Sequence, residues 1–347
     1  MAERMNAMCK FEGPQATALK ELYHNSAIRQ RHTVVSDFIQ ERADWRFFDR
    51  DYPDVIPGMT ERNDSYKQFA LPLALEAAQQ AIASWGGESQ QITHVISVSC
   101  TGIVAPGLEF DLMQALKMSP WTFRLGINFM GCFGAFKGLS IAKALAAENP
   151  RHRILLVCTE LCSLHIQPTD DVDSLTANAL FADGAAAAVV GSQPRDFENP
   201  LWMMVDERSY GLENSKDKMS WEASSTGFQM QLSYKVPVLL ARSIKPFVDA
   251  LLKEWTEVSM CDWAIHPGGK SILQVIERDL ALDREQTTAS WETFADYGNM
   301  SSATFLFVLR KLHQLSSKRI WTAGLGFGPG LSMEGVLLRK YPSERTL

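Results

Sequence analysis

The chain has 347 residues, of which 46% are hydrophobic, and carries 34 basic against 40 acidic side chains. That length and apolar content support the core of about two domains or of one large duplicated unit, while a net charge of −6 without a dominant Lys/Arg cluster excludes a nucleic-acid footprint, which needs a positive surface. The N-terminus, "MAERMNAMCKF", lacks the apolar region of a secretory signal, and no run approaches the roughly 18 apolar residues of a membrane span. A cytoplasmic location is therefore expected. The six cysteines (9, 100, 132, 158, 162 and 261) include no CxxC pair, and no HExxH occurs, so they read as reduced thiols, with neither a disulfide framework nor a zinc site.

In chain order, residues 15–30 read as a helix and residues 67–85 as a longer one, separated by a stretch rich in Pro, Asp and Gly over 49–64. The texture then changes to strand–helix alternation. Strands are predicted over 92–100, 124–130, 153–161 and 184–191, with helices over 106–117 and 133–149. A polar, less regular region follows over 192–229. The alternation then returns: strand 262–266, helices 270–282 and 301–314, and strands 319–327 and 332–340 around the glycine-rich "GLGFGPG". This is α/β patterning with the same order in two halves, 1–192 and 193–347.

The halves also share a spacing. Ser99 to Cys132 and His266 to Asn299 are both intervals of 33 residues, so an internal duplication puts Cys132 and Asn299 at equivalent strand-to-helix turns. Cys132 precedes a predicted helix, whose positive end favours the thiolate. Taken alone it reads equally as a buried core thiol. His266, in "AIHPGG", ends a strand where open α/β sheets place their ligand crevices, or it is a structural histidine. Asn299, in "DYGNMSSATF", is an amide donor or a helix cap. Together, a soft nucleophile, a base and an amide suit chemistry at a thioester carbonyl. Cys, His and Asn also serve cysteine proteases, so residue types alone leave the reaction open.

Five segments carry a resemblance: "GCFGAFKGL" around Cys132, "LFADGAAAAVVG" (180–191), "HPGGKSIL" (266–273), "YGNMSSATFLFVL" (297–309) and "GFGPGLSMEGVLLR" (326–339). In order and spacing, over roughly residues 20–340, the chain resembles the type III polyketide synthases, the chalcone synthase-like branch of the thiolase superfamily. The resemblance implies a homodimer of subunits with the duplicated, five-layered αβαβα thiolase-like fold. It also implies acyl-CoA and malonyl-CoA as substrates, no metal or organic cofactor, an acyl-accepting Cys132, and His266 with Asn299 promoting decarboxylation of malonyl-CoA. Repeated condensation and cyclisation to a pyrone or resorcinol-type product would follow.

Phe181 matches the gate between CoA tunnel and cavity, and Met230 stands where the family has a second phenylalanine. His165 and Ser301 fall at cavity-lining positions, and Ala105 at the residue that reaches across the dimer. Met230 and Ala105 leave room for a long aliphatic starter. The family's CoA-binding basic residues on an early helix correspond here to Ala18, Glu21 and Asn25, with Lys20 nearby, so Lys270 after "HPGG" is the candidate CoA contact. The chain begins inside the family's early helix, so it is either a truncated form or completes its first sheet differently. A ketoacyl synthase III-like single condensation and a non-catalytic scaffold are the rival readings.

Overall fold

The apolar runs read as strands are buried on both faces, and their side chains sort by period two. In β1 (His94–Ser99) and β3 (Ile154–Leu161), Val95, Leu155 and Val157 face one core, while Ile96, Val98, Leu156 and Cys158 face another. The computed structural model describes residues 1–48, 55–315 and 317–341, so the stretch 49–64 lies partly outside it.

Helices α1 (Ala2–Cys9) and α2 (Gly13–Asn25) lead into the long α3 (Met59–Trp85), closed at Gly86, which adopts φ 88° and donates its N–H to Ile82. Then come β1, α4 (Leu108–Ala115), β2 (Phe123–Asn128), α5 (Gly134–Glu148), β3, α6 (Val172–Leu180) and β4 (Asp183–Val190). These strands form one sheet in the order β2-β1-β3-β4, parallel except for the antiparallel β3/β4 pair.

The second half supplies β5 (Trp202–Gly211), the hairpin β6 (Met219–Ser224) and β7 (Gly227–Leu232), α7 (Val236–Leu252), β8 (Cys261–Ile265), α8 (Lys270–Asp279), α9 (Arg284–Tyr297), α10 (Thr304–Gln314), β9 (Trp321–Gly328) and β10 (Ser332–Lys340). Its main sheet runs β8-β9-β10-β5. The parallel β8/β9 and antiparallel β9/β10 pairs repeat the β1/β3 and β3/β4 pairs, so the duplicated order is real.

Three cores join five layers, the middle one packing both faces of the central helices. α3 and α4 cover the outer face of the first sheet, α5 and α10 lie between the sheets, and α7 and α8 cover the second. From Gly324 to the end of β9 every second residue is glycine. Added Cβ atoms at Gly324, Gly326 and Gly328 would meet Phe305, Phe136 and Phe133 at 2.7, 2.4 and 2.6 Å, so three aromatic rings of the middle layer lie directly on the strand backbone.

Several elements differ from expectation. α1, α6, α7 and α9 are helices that the sequence pattern does not predict, and 192–229, expected to be irregular, holds β5, β6 and the start of β7. α7 contains Pro237 in its first turn, where proline costs nothing, and Pro246 inside. β5 alternates weakly because it is an edge strand carrying Asp206, Glu207 and Arg208. β2 leaves its outer edge open, with Phe123, Phe129, Met130 and Trp121 at least a third exposed around it. No described helix is long and apolar enough to cross a membrane.

Candidate active site

Cys132, Asn299 and His266 line one apolar cavity of about 320 Å³, although 167 and then 33 residues separate Cys132 from Asn299 and Asn299 from His266 along the chain. Cys132 stands in a 3-10 turn, Gly131–Phe133, directly before α5. Gly131 makes that turn possible twice over: its φ is 70°, and a Cβ would strike Pro329 at 2.4 Å. The loop "GFGPG" therefore clamps the turn that carries Cys132.

Asn299 follows Gly298, and its backbone is held by the Leu180 carbonyl and the Ala182 N–H, each at 2.9 Å. Its Oδ1 accepts the Ser301 N–H at 2.9 Å, which orients the amide so that Nδ2 is the donor toward the cavity. The two amide atoms lie 3.9 and 4.0 Å from the Cys132 sulfur. A 3-10 turn, Ser301–Ala303, leads into α10 as Gly131–Phe133 leads into α5. The duplication thus holds for the turns but not for the residues: counted from the two helix starts, the partner of Cys132 is Ser302, and Asn299 lies three positions earlier.

His266 is wholly buried, fixed by its N–H to the Leu325 carbonyl at 2.8 Å. Neither ring nitrogen has a hydrogen-bond partner among the described residues. Burial pushes its pKa down to about 3, so the ring is neutral and one nitrogen can accept a proton. Burial also pushes the Cys132 thiol up to about 12, against the helix-end effect expected from sequence; hydrogen bonds from Ser301 and Asn299 only partly oppose it. Cys132 and His266 thus line the cavity as a thiol and a neutral imidazole.

The other expected residues divide. Phe181, Met230 and Ser301 line this cavity, and Phe181 and Met230 also line a second, polar cleft of about 740 Å³ between α6 and the β6–β7 hairpin. His165 lines only that second cleft. It accepts the Phe228 N–H on Nδ1 at 3.1 Å, so Nε2 carries the proton and donates to the Thr101 carbonyl at 2.8 Å. Packed among Trp221 and Phe228, it is a neutral structural bridge in the wall, its pKa lowered to about 3 by burial. Ala105 is exposed and contributes to neither cavity in the single chain. Lys270 is exposed and does not line the cavity, although Gly269 and Ser271 on either side of it do.

Two features escaped the sequence reading. Trp221 lines both cavities and donates its Nε1–H to the Cys100 carbonyl at 2.7 Å. Glu160 is buried beneath the site, accepting from the Cys100 N–H and from the hydroxyls of Thr101 and Ser302. Its signal was present: one carboxylate inside the otherwise apolar run "RILLVCTEL". Among the described residues no group of three or more His, Cys, Asp or Glu could hold a metal ion.

Two family models match the chain: chalcone and stilbene synthases, N-terminal domain, over residues 7–194, and the C-terminal domain over 209–342. Probable polyketide synthase 1 of Dictyostelium discoideum is 36% identical over 328 residues, which are 92% of this chain but 10% of that protein's length. Type III polyketide synthase A of Arabidopsis thaliana is 30% identical over 341 residues, 94% of this chain and 84% of its own. Among solved structures, the C-terminal type III polyketide synthase domain of Steely1, a type I/III hybrid from Dictyostelium, matches with a TM-score of 0.92 at 33% identity, covering 98% of this chain and 93% of that one. The fold is thiolase-like, and the relatives are polyketide synthases, enzymes of acyltransferase type. On the two domain matches and these relatives, the chain belongs to the chalcone and stilbene synthase family.

Proposed function

We propose that the chain is a type III polyketide synthase that loads an acyl-CoA starter on Cys132, extends it with several malonyl-CoA units, and cyclises the product to a pyrone or resorcinol-type polyketide. The observation that carries the reading is the convergence of Cys132, Asn299 and an unpartnered, neutral His266 on one apolar cavity. As the Cys132 sulfur attacks the starter thioester, a His266 ring nitrogen takes the thiol proton and returns it to the departing CoA sulfur. Malonyl-CoA then loses carbon dioxide, and the electron pair left on carbon is delocalised onto the thioester oxygen. Protonated His266 is not needed at that oxygen: the neutral ring donates its N–H and Asn299 its Nδ2–H. The enolate carbon attacks the Cys132 thioester, and the freed sulfur remains ready for the next transfer of the chain.

The apolar lining suits an aliphatic starter, because each buried methylene contributes about 0.8 kcal/mol. A homodimer is part of the proposal, supported by the open edge of β2 and the exposed Phe123, Phe129 and Met130 beside it. So are the division into halves at 192/193, a cytoplasmic location, and chemistry that uses CoA thioesters without a metal or organic cofactor.

Mass spectrometry of the protein incubated with C8 to C16 acyl-CoAs and malonyl-CoA tests the reading. Wild type should carry the acyl mass on Cys132 and release multiply extended products, while Cys132→Ala should do neither. Unchanged condensation by Cys132→Ala would overturn it, and release of a singly extended chain only from a carrier-protein substrate would favour the ketoacyl synthase III-like alternative.

A further inference from the structure

Glu160 lies beneath the cavity and takes no part in the proposed chemistry. It is wholly buried in β3, a strand whose other residues, Thr159 apart, are apolar, and such a placement is unfavourable unless hydrogen bonds offset it. Its two oxygens face different halves of the chain. Oε2 accepts the Cys100 N–H at 2.9 Å and the Thr101 hydroxyl at 3.1 Å, directly after β1. Oε1 accepts the Ser302 hydroxyl at 2.5 Å, from the second half.

Each contact leads to a turn that carries the chemistry. The Cys100 sulfur accepts the N–H of Gly131 at 3.0 Å, and Gly131 opens the turn of Cys132. Ser302 stands in the turn after Asn299, next to Ser301, whose N–H holds Asn299 Oδ1 at 2.9 Å. Gly131 and Ser301 are the equivalent first residues of the two 3-10 turns, and both lie in the left-handed region, at φ 70° and 48°. Glycine adopts that conformation freely. Serine adopts it under strain and stays there only where neighbouring bonds fix the turn. Two side chains supply them: Thr304, whose hydroxyl donates to the Ser301 carbonyl at 3.0 Å from the same helix start, and Glu160, which reaches the turn from the other half of the duplication. The two turns also touch, since a Cβ on Gly134 would lie 3.4 Å from that of Ser302.

We propose that Glu160 is a positioning residue for condensation: a single carboxyl group ties the turn of Cys132 to the turn of Asn299, and so fixes the distance between the sulfur that holds the growing chain and the amide that holds the enolate. It acts through Cys100 on one side and Ser302 on the other and touches none of the reacting atoms. The assignment rests on the polyketide synthase reading. Loading of the starter uses Cys132 and His266 and needs only the first link. Condensation needs both turns in register, because the enolate carbon must meet the thioester carbon and a misplacement of about 1 Å there costs on the order of a hundredfold.

The test compares wild type with Ser302→Ala, which cuts the second link, with Glu160→Met, which cuts both, and with Glu160→Gln, whose oxygen still accepts the Cys100 N–H while its NH₂ meets a Ser302 hydroxyl turned to accept. Loading is read as the rate of acyl mass gain on Cys132, condensation as kcat and KM with malonyl-CoA. Ser302→Ala should lower the condensation kcat about tenfold, with loading and the malonyl-CoA KM within about twofold of wild type. Glu160→Met should lower kcat further and slow loading too, and adding Ser302→Ala to it should change nothing more, because both cut the same link. Glu160→Gln should keep kcat within about threefold. Loading and condensation falling together, in step with urea stability, would mark a residue that serves only the fold and would overturn the proposal; so would wild-type condensation by Ser302→Ala. Ser302→Ala removes one hydroxyl and decides the matter where Glu160→Met does not fold. Wild type that forms no product overturns the synthase reading and this assignment with it, whereas variants as active as an active wild type overturn this assignment alone.

Discussion

Replacing Glu160 with glutamine should change how stability depends on pH. The carboxylate is fully buried, and burial raises its pKa from 4.5 to about 7 despite hydrogen bonds from Ser302, the Cys100 N–H and Thr101. A carboxyl whose folded pKa lies above its unfolded value binds more protons when folded. Its contribution to stability is therefore fully present below pH 4.5 and is lost as pH rises through 7. The interval corresponds to about 3 kcal/mol. Glutamine keeps the shape and can still accept the Cys100 N–H with its oxygen, while its NH₂ faces Ser302, whose hydroxyl can turn to accept. Asp183, raised to about 6 by burial, acts in the same direction, but it is common to both proteins and drops out of the difference. Urea denaturation at fixed protein concentration from pH 4 to 8 should show Glu160→Gln gaining on wild type by about 3 kcal/mol across pH 4.5 to 7, with no further change above that range. Parallel curves for the two proteins would refute the claim that this carboxylate is carried at a cost.

Alkylation of substrate-free protein by iodoacetamide, followed by peptide mapping, should be slow at Cys132 near pH 7 and rise with pH without levelling below pH 10, since burial pushes the thiol up to about 12; a plateau near neutrality would mean that His266 holds a thiolate after all. Trp221→Ala should join the two cavities that the indole now separates, and product mass spectra should move toward longer chains; an unchanged product profile would show that the wall lies elsewhere. Arg153 is fully buried and donates to Glu198 through Nε at 2.6 Å and Nη2 at 2.9 Å and to the carbonyls of Pro150, His152 and Gln193, so Arg153→Leu, which leaves Glu198 only the Trp85 and Arg195 N–H donors and takes the guanidinium from three carbonyls, should cost about 3 kcal/mol by denaturant titration.

The two sheets were legible in the sequence because strands buried on both faces read as unbroken apolar runs, as in "ITHVISVSC" and "RILLVCTEL". The edge strand β5 was not, since half its side chains face water and the rest alternate with charge. α7 was obscured by Pro237 and Pro246, although Leu240, Ile244, Phe247 and Leu251 repeat at helical spacing and are buried. The trio of Cys132, His266 and Asn299 was visible because each sits beside glycine at the end of a predicted or observed element and because the two 33-residue intervals match. What the spacing could not resolve was the three-residue offset between Cys132 and Asn299 within equivalent turns, because a repeat interval reports the length of chain between elements and not the phase of a side chain. Nor could it show His165 locked by Thr101 and Phe228, contacts that arise only when β7 folds over the end of β3.

The interlock of Gly324, Gly326 and Gly328 with Phe305, Phe136 and Phe133 has a mechanical meaning. Two of these rings belong to the turn and helix that carry Cys132, and they rest against peptide backbone, the least compressible surface available. The sulfur is thereby referenced to the second sheet, which also carries His266 at the end of β8, by a hard stop with no adjustable side chain in between. Cys132 and His266 keep their spacing through the stiffness of one strand. A methyl group added at Gly326 would be felt first as a lost alignment between them, while the cavity itself remained open.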